Sequence, residues 1–234
     1  MIELWPAIDL IDNQSVRLTE GVYETKELMP RAPLEAIRYY SQFKQVTRIH
    51  IVDLMGALHQ KPTEEAFIKE LIKESDVPIE IGGGIRSQQT IDYYLSNGAS
   101  YVIVGTRGLQ DPEWLQDMTN RYPGKIYLGL DAKKTKIAIN GWTETEEKTI
   151  YDVAKETASY KLGGIIYTDI SKDGKMAGPN VALTKELVDL SPHPITASGG
   201  IRHIEDLRRL EEVGVTAAIV GKAANTAEFW EAIR

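Results

Sequence analysis

Two aspartates close two apolar runs of this chain. Asp9 ends the run that starts at Glu3, and Asp131 ends the run that starts at Lys125. Two carboxylates facing each other across a site suit general acid–base chemistry, with one protonated and the other ionised. Taken singly, each could equally cap a loop or pair with a nearby lysine. Four glycine stretches stand beside them: Gly82-Gly83-Gly84, Gly105-Thr106, Ser198-Gly199-Gly200 and Gly221-Lys222. Glycine lets backbone N–H groups approach an anion closely, and a helix N-terminus adds partial positive charge. Tight strand-to-helix turns would use the same residues without any ligand.

Spacing makes these features a set. Gly83-Gly84-Ile85-Arg86 recurs as Gly199-Gly200-Ile201-Arg202, 116 positions later. The same offset maps Ile103-Val104-Gly105 onto Ile219-Val220-Gly221, Asp53 onto Asp169 and Gly98 onto Gly214. A repeat about half the chain long is no solenoid. It reads as two diverged copies of one half-domain, about 1–120 and 121–234, within a single domain spanning 1–234.

The elements that must carry these residues alternate. Strands are expected at Glu3–Asp9, Thr47–Asp53, Pro78–Gly82, Tyr101–Gly105, Lys125–Asp131, Gly164–Asp169, Pro194–Ser198 and Ala217–Gly221. Most are continuously apolar, as strands covered on both faces are. Helices are expected at about Leu34–Phe43, Thr63–Glu74, Gln88–Asn97, Pro112–Arg121, Glu146–Leu162, Val181–Leu190, Ile204–Val213 and Thr226–Ile233. Asp111-Pro112 signals a helix start, and Gly98 and Gly214 signal stops. Eight βα units in 234 residues predict an α/β TIM barrel built from two half-barrels. Gly21 to Pro33 and Lys133 to Glu146 read as long loops after the first and fifth strands.

That fold brings the chemistry to one mouth. Residues at the C-terminal strand ends face the site, and the first and fifth strands lie opposite each other across a ring roughly 15 Å wide. Asp9 and Asp131 would flank one carbon chain. The glycine stretches would make two opposed phosphate cradles, so the expected ligand is a small molecule with a phosphate at each end. Thr168, in the polar loop Thr168-Asp169-Ile170-Ser171-Lys172-Asp173-Gly174, could hydrogen-bond a reacting oxygen. Arg17 could meet an anion, although a lone Arg is more often at the surface. Trp142 could stack on a flat base or simply pack its own loop. His50 reads by default as a satisfied core histidine.

Composition removes other classes. The net charge of -7 argues against a nucleic-acid footprint. No apolar run is long enough for a membrane span, and the N-terminus lacks signal-peptide character. The absence of cysteine excludes disulfides and thiolate sites and suits a cytoplasmic protein. The 4 scattered histidines make a zinc site an unlikely expectation, and no metal is expected.

At these residues the chain resembles a known family. Pro6–Leu10, Val16-Arg17-Leu18, Gly82–Arg86, Gly129-Leu130-Asp131, Gly141-Trp142, Tyr167–Gly174 with Gly178-Pro179-Asn180, and Ser198–Arg202 are similar to the ProFAR isomerases of histidine biosynthesis. ProFAR is phosphoribosylformimino-5-aminoimidazole carboxamide ribotide. The resemblance runs from about Ile2 to Lys222. It implies an Amadori rearrangement of an aminoaldose to an aminoketose, without cofactor or metal, on a doubly phosphorylated substrate. It implies Asp9 as general base, Asp131 as general acid that assists ribose ring opening, and Thr168 as their support. Trp142 would stack on the carboxamide-imidazole, and Arg17 and His50 would contact substrate. Arg86, Asp173 and Gly178 join the expected substrate- and phosphate-binding set with the glycine cradles. No obligate protein partner is implied, and a monomer is expected.

Two departures and three alternatives accompany the resemblance. Met55 stands where the family usually has Asp, and Asn13 where many relatives have Gly. The sister cyclase subunit of imidazole glycerol phosphate synthase would read Cys-Leu-Asp at the first strand; this chain reads Ala7-Ile8-Asp9. A dual-substrate isomerase that also accepts phosphoribosyl anthranilate is a second alternative. A non-catalytic phosphate-binding barrel is the third.

Overall fold

A computed structural model describes residues 2–234 of the chain. Its strands, in chain order, are β1 (Glu3–Ile11), β2 (Gln14–Thr19), β3 (Val22–Leu28), β4 (Ile49–Asp53), β5 (Ile79–Gly82), β6 (Tyr101–Val104), β7 (Ile126–Lys133), β8 (Lys136–Ile139), β9 (Glu144–Thr149), β10 (Gly164–Asp169), β11 (Ile195–Ser198) and β12 (Ala217–Val220). Eight of them pair in parallel in the order β1-β4-β5-β6-β7-β10-β11-β12, and β12 pairs with β1 to close the ring. The fold is a (βα)8 TIM barrel, as the alternation predicts. β1 and β7 lie four places apart in this ring of eight, directly opposite each other.

The barrel strands are apolar on both faces because both are covered. Ile79, Ile81, Val102, Val104, Leu128 and Leu130 point outward into one large core shared with the helices. Trp5, Ala7, Ile103, Tyr127, Ile166, Ala217 and Ile219 fill the barrel interior. Helices carry the expected boundary chemistry. In the helix Pro112–Arg121 Asp111 accepts from the Trp114 N–H at 3.2 Å, with Pro at the first turn. Gly98 and Gly214 end their helices at φ values of 102° and 95°, where a side chain would be strained.

Three expectations are corrected. Gly21 to Pro33 is not a loop: β2 and β3 form an antiparallel hairpin that continues from β1. Lys133 to Glu146 likewise holds the β8–β9 hairpin that continues from β7. Both escape sequence reading because their outer strands, β3 and β9, are rich in charge, with β3 mostly exposed and no apolar period to follow. The helix expected from Glu146 begins later, at Ile150–Glu156, behind a capping box of Thr149 and Asp152. β9 uses the residues before it.

Candidate active site

One cleft opens at the C-terminal ends of the barrel strands. It is lined by Asp9, Arg17, His50, Gly83, Gly84, Gly105, Thr106, Asp131, Trp142, Thr168, Asp173, Ser198, Gly199, Gly200, Gly221 and Lys222. Two expected residues stand apart. Arg86 is exposed outside the lining, and its carbonyl accepts from Arg107 Nη1 at 3.1 Å. Gly178 is buried behind the cleft, where its N–H donates to the Gly200 carbonyl at 2.9 Å. There it braces a glycine turn.

Asp9 is positioned by its own hairpin. Asp12 and Asn13 turn the chain at φ 50° and 61°, the left-handed region that Asn and Asp tolerate. That turn folds β2 back onto β1 and sets Val16 beside Asp9. Arg17 then reaches inward, donating from Nη1 to Asp9 Oδ2 at 2.7 Å and from Nη2 to the Ala7 carbonyl at 3.0 Å. The guanidinium is buried, contrary to the surface position a lone Arg usually takes. Charge-assisted bonds of this kind are the stronger class. They hold Asp9 as an ion-paired carboxylate.

Asp131 is held differently. The Trp142 indole N–H donates to its Oδ2 at 2.6 Å, and Thr168 hydrogen-bonds its side chain. Thr168 and Asp131 are register partners on β10 and β7, so the sheet itself sets that contact. Burial pushes the Asp131 carboxyl above its ordinary range, against the opposing pull of Trp142, Thr168 and nearby His50. Trp142 adopts φ 69° at the tip of the β8–β9 hairpin, and its ring lies on Gly21 of the other hairpin. A Cβ on Gly21 would sit 2.1 Å from that ring, so only glycine fits.

Asp173 is the third cleft carboxylate. Its backbone carbonyl accepts from the Glu20 N–H at 3.0 Å, which ties the loop after β10 to the first hairpin. Burial, with Asp9 and Asp131 adding to it, pushes its pKa up to about 7 against the pull of Arg17 and Lys222. It therefore exchanges its proton near neutrality.

The two ends of the cleft are built alike. Gly83 (φ 110°) packs on the Asp53 backbone, and Gly199 (φ 95°) on that of Asp169. Asp53 accepts from the N–H groups of Gly56 at 2.8 Å, Thr63 at 2.6 Å and Glu64 at 3.0 Å. Asp169 accepts from the Ser171 N–H at 3.0 Å and from Asn180 Nδ2 at 2.7 Å. Both buried aspartates are therefore loop organisers, which explains their recurrence at the repeat offset. The Asp missing at Met55 leaves this scaffold intact, because Asp53 alone gathers the loop. Gly105 (φ -109°, ψ -106°) and Gly221 (φ -93°, ψ -104°) share one backbone conformation, and each precedes a short helical turn. The ends differ in charge: Lys222 stands at the second and is paired with Glu27 of β3 at 2.8 Å.

Sequence reading missed Glu80. A glutamate inside the apolar Ile79–Gly82 strand was the available signal. It is fully buried and bonded to both Arg48 and His50.

Fold and cleft define a TIM-barrel protein with its site at the C-terminal mouth of the barrel. The model of the histidine biosynthesis protein family matches residues 3–229, and the chain belongs to that family. It is an enzyme of histidine biosynthesis, in a family that holds both the ProFAR isomerases and the sister cyclases. No helix among the described residues is long and apolar enough to cross a membrane.

Proposed function

We propose that this enzyme is the isomerase that opens the aminoaldose ProFAR and converts it to the corresponding aminoketose. One observation carries the reading: Asp9 and Asp131, from opposite strands, line a single cleft that ends in glycine turns on both sides. That arrangement fits a chain-like molecule with a phosphate at each tip and its reacting carbons in the middle. The phosphates would meet the turns around Gly83, Gly84 and Gly105-Thr106 and those around Gly199, Gly200 and Gly221-Lys222.

The chemistry needs one acid and one base. A proton delivered to the ribose ring oxygen breaks its bond to C1 and leaves a C1–nitrogen Schiff base. Removal of the C2 proton forms an enolamine; a proton added at C1 and the proton lost from the C2 hydroxyl leave a ketone at C2. Atoms balance without metal or redox cofactor. Asp9, a carboxylate held by Arg17, is the base. Asp131, raised by burial, is the acid, with Thr168 and Trp142 fixing its orientation.

A specific observation supports a second assignment of the acid. Trp142 and Thr168 both hydrogen-bond Asp131 in a way that favours its ionised form over the protonated acid. Asp173, with a pKa of about 7, is better matched to proton exchange at neutral pH. In that variant Asp131 anchors Trp142 and the substrate.

The motif Ala7-Ile8-Asp9 favours the isomerase over the cyclase. Assays on ProFAR, on phosphoribosyl anthranilate, and on the aminoketose product with ammonia, with no metal or partner added, separate the readings. Turnover of ProFAR supports this one. Turnover of the aminoketose with ammonia and none of ProFAR overturns it, and turnover of both aminoaldoses makes the enzyme a dual-substrate isomerase.

A further inference from the structure

Beneath the two aspartates the barrel interior holds a polar trio, Glu80, Arg48 and His50, whose inner members the proposed chemistry does not use. Glu80 has no exposed surface. Its Oε2 accepts from Arg48 Nη1 at 2.9 Å, and its Oε1 lies 2.8 Å from His50 Nδ1. Arg48 is itself fixed. Its guanidinium lies 3.9 Å from the Trp5 ring centre, 3.8 Å from that of Tyr101 and 4.8 Å from that of Tyr127, and it also donates to the Tyr127 hydroxyl at 3.3 Å. His50 and Glu80 are register partners on β4 and β5, so both point to the same interior layer. His50 lines the same cleft as Asp131.

We propose that Glu80, locked by Arg48, is a positioning residue that holds His50 as the Nδ1–H tautomer and presents its bare Nε2 to the cleft. Donors and acceptors at the trio decide the tautomer. Arg48 can only donate, so it balances the Glu80 charge and takes one oxygen. The other oxygen of an ionised carboxylate can only accept, so Nδ1 must carry the proton. In its neutral form His50 then meets the ligand as a hydrogen-bond acceptor. A ligand group that donates there, such as a sugar hydroxyl, is accepted; one that offers only lone pairs is refused. The tautomer assignment stands on the barrel geometry alone. Only its consequence for turnover rests on the isomerase reading.

Substituting Glu80→Gln gives a sharp test. Arg48 must still find an acceptor, so it takes the amide oxygen and leaves the amide N–H to face Nδ1. The His50 tautomer should invert, turning Nε2 into a donor. Nitrogen NMR of the histidine rings, assigned by loss of the His50 signal in His50→Asn, reads this directly at a pH where the ring is neutral. The expected result is a protonated Nδ1 in wild type and a protonated Nε2 in Glu80→Gln. A protonated Nε2 in the wild type overturns the proposal, as does an unchanged ring in Glu80→Gln. Should Glu80→Gln fail to fold, Arg48→Met with Glu80→Leu removes the charge pair together, a replacement buried ion pairs often tolerate. It should leave a mixture of tautomers; a pure Nδ1–H ring there would show that Glu80 does not select it.

A double-mutant cycle on ProFAR turnover adds the functional arm. Glu80→Gln should lower kcat/KM about tenfold, the loss of one well-placed hydrogen bond. In the His50→Ala background it should cost little more. Independent losses that multiply would mean a structural role for Glu80 and would overturn the proposal. An enzyme that ignored ProFAR altogether would defeat the isomerase reading and leave the NMR result standing.

Discussion

The Trp142 indole N–H meets Asp131 Oδ2 at 2.6 Å, across the mouth of the barrel from Asp9. The contact joins the hairpin after β7 to a carboxylate at the end of that same strand. It holds the ring in the cleft, against Gly21 of the other hairpin. Trp142→Phe keeps the ring and removes the donor. Because the bond lowers the pKa of Asp131, its loss should drive that carboxyl further up. Loss of one such hydrogen bond costs roughly 0.5–1.5 kcal/mol, so kcat/KM should fall by up to about tenfold. Tryptophan fluorescence should separately report Trp142 on ligand binding in the wild type. Unaltered kinetics in Trp142→Phe would reduce the contact to packing.

Asp9→Asn and Asp131→Asn test the acid–base pair. Each should lower turnover on the order of 10²–10⁴-fold, the usual contribution of positioned proton transfer. Thermal unfolding should stay close to wild type for Asp131→Asn, where the amide can still accept from Trp142. Near-normal turnover in either variant would remove that residue from the mechanism.

Asp173 makes a prediction about pH. Its folded pKa, about 7, lies above the ordinary carboxylate value because of burial and of Asp9 and Asp131. Between about pH 4 and 7 the folded state then holds a proton that the unfolded chain has released. Stability from this group is full below the unfolded pKa and is lost as pH rises through about 7. Melting temperature in wild type should fall over that window relative to Asp173→Asn, which has no such proton to lose. If Asp173 is the acid, the wild-type rate should also decline above pH 7, and the variant should be nearly inactive. A flat difference in melting temperature across the window would refute the raised pKa.

Glycine substitutions should separate folding from ligand binding. A Cβ at Gly83 would lie 2.2 Å from the Asp53 carbonyl oxygen, at φ 110°, so Gly83→Ala should destabilise the barrel. One kcal/mol shifts the midpoint of a domain this size by ~2–4 °C, and a loss of several degrees is expected. At Gly105 a Cβ would meet nothing within 4 Å, because it would point into open cleft. Gly105→Ala should therefore melt like wild type and bind phosphate or sulfate more weakly. Equal loss of stability in the two variants would contradict this.

Lys222 and Glu27 offer a last test. Their contact at 2.8 Å is partly exposed and competes with any anion at the second glycine end. Exposed pairs are worth ~0.2–1 kcal/mol, so Glu27→Gln should tighten phosphate binding at that end by no more than about fivefold. Titration calorimetry with inorganic phosphate measures it, and weaker binding would show that Glu27 does not compete.

The barrel was legible in the linear chain because its determinants are local. Eight apolar runs, eight helical periods and glycine stops at Gly98 and Gly214 are short-range signals. The offset shared by the glycine turns tied distant segments together. Asp9 and Asp131 could be marked because a strand end is readable from where an apolar run stops. The hairpins were not legible. Residues such as Tyr23-Glu24-Thr25-Lys26-Glu27 pair along one edge with β2 and bury too little to leave a period. The offset also pointed to Asp53 and Asp169 without disclosing that they organise loops.

What sequence alone determined, then, was the architecture and the presence of paired carboxylates and glycine turns, since these depend on residue types at fixed spacing. Tertiary structure decided which groups meet. It buried Arg17 against Asp9, brought Trp142 to Asp131, sent Arg86 to the surface and moved Gly178 behind the turn it supports. It also raised Asp173 by burying it, with Asp9 and Asp131 close by. Proximity and burial arise from chain closure in space, and no spacing along the chain encodes them.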